Sequence, residues 1–147
     1  MLKRMIGAAT FKIATYEEVE ADKSATTEAL LVVVLVAIAT GIGGLGKGGP
    51  LGLAVGIAGA LIGWALLAWI TYFIGITWFK TADTQAKWGE LARTLGFAQS
   101  PALLRVLAVI PAISYVVLWV VFLWQIATTV VAIRHALDFN STGRAVL

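Results

Sequence analysis

Residues 51–79 contain no charged side chain, and this run constrains the chain more than any other feature. As an α-helix it would measure about 43 Å, longer than the roughly 30 Å hydrocarbon core of a bilayer. It is therefore expected to cross a membrane, tilted or with its ends among the headgroups. Gly52, Gly56, Gly59 and Gly63 recur within it at steps of four, three and four. That spacing puts them on one helical face. Lipid tails provide no hydrophobic drive for helix pairing, so such a seam of small residues is where a second helix backbone is expected to approach.

Composition enters as a check. With 147 residues, 60% of them hydrophobic and 13% charged, the chain has too little polar surface for a soluble domain of its size. No cysteine is present, so disulfides and thiolate metal sites are excluded, and a single histidine leaves little other metal chemistry. Nothing suggests nucleic-acid binding. The expected fold is an all-α integral membrane protein, with three transmembrane helices (the third kinked) and an N-terminal amphipathic interfacial helix.

Residues 1–21 carry Leu2, Met5, Ile6, Ala9, Ile13 and Tyr16 on one stripe, with Lys3, Arg4 and Lys12 off it and Phe11 on the wrong side. A basic face backed by an apolar stripe suits a helix lying in the headgroup plane; the alternative is a helix packed on the ends of the membrane helices. Lys12 interrupts the apolar run, which argues against a signal peptide. Asp22 and Ser24 are candidate N-caps, and Glu28 suits the first turn of the next helix.

The first span is expected over 29–45 and the second over 51–79, separated by a tight turn that makes them antiparallel neighbours. The first helix is thus the expected first occupant of the glycine seam. Residues 41–47 imitate the spacing of a phosphate-binding loop, but Gly48 replaces the magnesium-holding Ser or Thr and no strand precedes it. Trp78 and Tyr72 suit a headgroup belt. Trp64 and Trp69 lie deeper, where packing is the expected role and pigment or lipid contact the alternative, an alternative that also covers Trp119 and His135.

The loop 80–100 reads as a short polar helix with local pairs Asp83 with Lys87 and Glu90 with Arg93. Asp83 and Glu90 have nothing nearby to shift a pKa, so a solvated face is expected and catalysis is not. Ser100 and Pro101 mark a helix start. Residues 101–110 form an interfacial segment whose Arg105 snorkels, Pro111 breaks the helix, and 113–134 forms the third span. Gln125, Thr128 and Thr129 are expected to hydrogen-bond across helices or to their own backbone. A polar tail, 135–147, includes the sequon Asn140-Ser141-Thr142. The distribution of lysine and arginine places the N-terminus in the cytoplasm and, with three spans, the C-terminus on the opposite side of the cell membrane, unless Pro111 is the tip of a hairpin.

The order of several short motifs resembles the Yip1 family. They are Tyr16-Glu17-Glu18-Val19-Glu20-Ala21-Asp22 followed by Ser24-Ala25-Thr26, Leu95-Gly96-Phe97-Ala98 followed by Ser100-Pro101, Ile110-Pro111 leading to Trp124, and Ala132-Ile133-Arg134-His135-Ala136-Leu137 through Arg144-Ala145. The resemblance implies a membrane-embedded scaffold with a cytoplasmic N-terminus. Eukaryotic members, which have more spans, bind small GTPases in vesicle trafficking. This chain lacks their Asp-Leu-Tyr-Gly-Pro motif and is closer to a short prokaryotic form.

The expectation is therefore a non-enzymatic membrane organiser without a catalytic, metal or obligatory cofactor site. Its partners are lipid and either a membrane protein or a second copy. The alternatives are an accessory subunit of a larger bioenergetic or photosynthetic complex and, third, a small transporter or channel.

Overall fold

The computed structural model describes residues 1–43, 49–77 and 87–137. The turn at 44–48, Trp78, Asp83 and the sequon at Asn140 lie outside the described residues. These form helices α1 (Leu2–Ala9), α2 (Ile13–Ala21), α3 (Ala25–Gly43), α4 (Gly49–Thr77), α5 (Trp88–Ala98), a 3₁₀ helix (Ser100–Val109) and α6 (Ser114–Ala136). Among the described residues three helices are long and apolar enough to cross a membrane: Ala25–Ile42, Gly49–Thr77 and Ser114–Ala136.

The short helix α5 is the centre of the bundle. Every residue from Leu91 to Ala98 is buried, and α1, α2, α3, α4 and α6 all pack on it. Small residues allow this. A Cβ added at Gly96 would lie 2.8 Å from the Cβ of Ala29 in α3, so the two backbones approach as closely as glycine permits. Ala25, Ala68, Ala92, Ala98, Ala132 and Ala136 are likewise buried. Small side chains at helix crossings, more than bulky ones, set the spacing of this core.

The N-terminal segment is a helical hairpin, not one helix. Phe11 takes a left-handed backbone, φ 59°, and reverses the chain between α1 and α2. The Lys12 amide donates to the Gly7 carbonyl at 2.9 Å and closes the turn. The expected stripe is consequently split: Met5, Ala8, Tyr16 and Val19 face the bundle, whereas Leu2, Ile6, Phe11 and Ile13 face outward.

Pro111 breaks the third hydrophobic stretch by reversing it. Ile110 is extended (ψ 109°), as the residue before proline prefers, and turn bonds from Ile113 to the Ile110 carbonyl and from Ser114 to that of Pro111 complete the corner. The 3₁₀ helix then lies antiparallel against α6 and also along α3. The Thr128 hydroxyl donates to the Ala98 carbonyl at 2.7 Å, and Arg105 donates to Gln125 at 2.7 Å, pairings that centre on the proline corner. Residues 101–110 are thus packed into the bundle along α3 and α6.

Two contacts place the end of α6. Leu137 packs on Gly75 near the end of α4, and His135 stacks on Tyr16 of α2 with ring centroids 6.3 Å apart. The end of α6 therefore shares one end of the bundle with the N-terminal hairpin. A single kinked third span would have put it at the other end.

Candidate functional site

The glycine seam faces outward. Gly52, Gly56, Gly59 and Gly63 are exposed, and a Cβ added at Gly56, Gly59 or Gly63 would meet nothing within 4 Å. The first helix is not its occupant, because α4 turns Ala60, Leu61, Trp64, Ala68 and Tyr72 toward the core. The described glycines where an added Cβ would come within 3 Å of a neighbour are Gly7, Gly41, Gly75 and Gly96. Helical spacing identified a face of small residues. Which face meets the core was decided by Trp64, whose indole N–H reaches the Ala92 carbonyl at 2.8 Å.

Of the expected membrane-surface residues, Lys3 and Lys12 are exposed, next to outward-facing Leu2, Ile6, Phe11 and Ile13. Arg4 is not part of that surface. Its guanidinium donates to Glu18 at 2.9 Å, Asp22 at 2.7 Å and Glu28 at 3.1 Å, and so ties α1 to α2 and to the first turn of α3. The Met1 amine adds a 3.3 Å ion pair to Glu28. Three carboxylates around one guanidinium raise its pKa further above the ordinary arginine value, the Asp22 bond contributing most. The Asp22 carboxyl is lowered to about 2, chiefly by the Ser24 hydroxyl and then by Arg4. Asp22 also accepts the Ser24 amide at 2.9 Å and organises the turn into α3.

Arg93 is a second arginine with an internal role. Only 6% exposed, it donates to the Val19 carbonyl at 2.9 Å and also to that of Glu20, at the C-terminal end of α2. The expected Glu90–Arg93 pair is not formed; Glu90 meets Lys87 instead, at 3.7 Å, and receives the Lys87 amide. A helix's last carbonyls lack intrahelical donors, and the Arg93 guanidinium supplies them for α2. Tyr16 donates to the Ala8 carbonyl at 2.9 Å, and burial raises its phenol pKa. Trp124 donates to the Ala9 carbonyl at 2.8 Å. Ser100 does not cap a helix through its side chain; its hydroxyl turns back to the Phe97 carbonyl.

The residues considered for pigment contact do not converge. Trp64 is committed to the core, Trp69 is exposed and stacked with Phe73, Trp119 is exposed and edge-on to Phe122, and His135 lies against Tyr16. Gln125, Thr128 and Thr129 divide: Thr128 is buried and bridges helices, whereas Gln125 and Thr129 line a cleft with Arg105. Arg93 was expected to pair with Glu90 and Arg105 to snorkel; their partners, the carbonyls ending α2 and the Gln125 amide, are distant in sequence and nothing local reveals them.

Three membrane-length helices wrapped around a small-residue core, their polar side chains closed on internal carbonyls, define a small multi-pass integral membrane protein. Residues 7–147, nearly the whole chain, match the Yip1 domain, and the chain belongs to that family. No curated protein and no solved structure matches it significantly.

Proposed function

We propose that this chain is a non-catalytic membrane organiser that grips a partner helix through the outer face of α4 and rests on the lipid surface through its N-terminal hairpin. The observation that supports this reading best is the open glycine seam: Gly56, Gly59 and Gly63 leave room at the surface that no part of the described chain fills. Packing without side chains in the way lets backbones approach and gain dispersion contacts that lipid does not match. The hairpin adds a second contact, with Leu2, Ile6, Phe11 and Ile13 entering the interface and Lys3 and Lys12 meeting phosphates. Lys3, Lys12 and Lys23 at that end favour a cytoplasmic orientation for it, and with it for the end of α6.

The test is Gly56→Leu with Gly59→Leu, assayed in nanodiscs and by sedimentation in mild detergent. Loss of self-association with an unchanged melting curve supports an organiser built from copies of this chain. Release from a larger co-purifying complex supports the accessory-subunit reading instead. Unchanged association in both settings would sink the role of the seam.

A further inference from the structure

A cleft of about 450 Å³ opens between the 3₁₀ helix and α6, lined by Arg105, Phe122, Gln125, Ile126, Thr129 and neighbouring aliphatic residues. Its polar end is unusual for a membrane bundle. In a 3₁₀ helix residues three apart eclipse, so Arg105 shares a face with Ala102 and Ala108 and is aimed along α6 between two small side chains. Its side chain is half-buried and bonds the neutral amide oxygen of Gln125 at 2.7 Å. Among the described residues no carboxylate pairs with it. This contrasts with Arg4, which has three, and with Arg93, which is spent on carbonyls. A cation in apolar surroundings with only a neutral partner is costly unless an anion joins it.

The depth of this cation narrows the choice of anion. Trp124, next to Gln125, bonds Ala9 of the N-terminal hairpin, and Thr128, one turn further, bonds Ala98. Close to that carbonyl, Gly96 packs on Ala29, adjacent to the Glu28 that holds Arg4. By these contacts the guanidinium lies about one to two helical turns, roughly 5–10 Å, further along the bundle than Glu28, the charged residue that opens α3. That is within reach of a lipid phosphate drawn slightly inward. The cleft is open along one face of α6, with Arg105 as the single lining residue from the 3₁₀ helix, so an occupant would enter it sideways from the bilayer.

We propose that the cleft binds the phosphate of an anionic phospholipid from the leaflet on the N-terminal side, with Arg105 as the charged contact, Gln125 and Thr129 as neutral ones, and the acyl chains over Phe122 and Ile126. Gln125 then serves to hold the guanidinium in place when phosphate arrives. Arg105 is the side chain on which net-anionic lipid is selected over zwitterionic lipid. The proposal is independent of the glycine seam, whose substitution leaves this site untouched.

The experiment is reconstitution into nanodiscs of equal parts phosphatidylcholine and phosphatidylglycerol, followed by mild extraction and native mass spectrometry of retained lipid. The wild-type chain should retain phosphatidylglycerol preferentially. Arg105→Gln should lower the ratio of the two lipids about fivefold, the worth of one basic side chain near the headgroups, and Arg105→Lys should keep most of it. A photo-crosslinking residue at Ile126, in an otherwise native chain, should capture phosphatidylglycerol selectively, and one at Leu67 on α4 should not; this arm decides the matter if Arg105→Gln fails to fold. Retained lipid of the same composition as the nanodisc, an unselective Ile126 crosslink, or displacement of the lipid by excess inorganic phosphate would each overturn the proposal.

Discussion

Two glycines of identical chemistry have opposite weight here. Gly96 sits with its α-hydrogen against Ala29, so Gly96→Leu must drive α3 and α5 apart. Overpacking of this kind costs about 1–3 kcal/mol, and a thermal melt in detergent should show it as a lowered midpoint. Gly59→Leu, with open space around the position, should leave the same melt unchanged. Asp22 gives a pH signature at this scale. Its folded pKa, about 2, lies below the ordinary 3.8, so its contribution to stability is fully present above the unfolded value and is lost as pH falls through the folded one. Hydrogen exchange at the α2–α3 junction should therefore quicken between about pH 4 and pH 2. Ser24→Ala, which removes the leading cause of the shift, should flatten that response. Little of this was legible in advance. Spacing placed the seam glycines on one face, and Asp22 was recognisable as a cap, but Arg4 and Gly96 derive their roles from residues distant in sequence.

The elements were more legible, for physical reasons that differ from one to the next. Long uncharged runs specify membrane helices by length alone, and α3, α4 and α6 fall within a few residues of their expected bounds. The α1–α2 corner contains neither proline nor glycine, and nothing local predicts that Phe11 adopts φ 59°. An aromatic residue in that region carries strain of order 1 kcal/mol or more, which a glycine would relieve. Phe11→Gly should accordingly keep the fold, with stability changed by no more than about 1 kcal/mol after the entropy cost of glycine. With a fluorophore attached to Ile13→Cys, unique because the chain has no cysteine, the same variant should weaken quenching by brominated lipid, since the outward ring is removed. Unchanged quenching would mean that the hairpin does not enter the interface. Pro111 was legible as a break. Its reversal of the chain was legible only as the alternative to a kink, because the choice depends on Thr128 and Gln125 accepting the 3₁₀ helix as a neighbour.

At the scale of the whole molecule, the bundle carries both α2 and the end of α6 at one end and the proline corner at the other. The chain has no cysteine, so single introduced thiols report sidedness without background. Lys12→Cys and His135→Cys should label from the same side of a sealed vesicle with an impermeant reagent, and Tyr115→Cys from the opposite side. Labelling of Lys12→Cys and His135→Cys from opposite sides would contradict the same-end arrangement. Family membership over residues 7–147 was foreshadowed by the order of short motifs, of which Leu95-Gly96-Phe97-Ala98 turns out to be the buried centre of the bundle.

The 3₁₀ helix also has a length to account for. Ten residues at about 2.0 Å each extend about 20 Å, where the same residues in α-helical form extend about 15 Å. Wound as an α-helix, the same ten residues would stop about 5 Å short of the proline corner they must reach, while α3, α4 and α6 keep their lengths; the tighter winding is what lets so short a segment run the distance from α5 to Pro111.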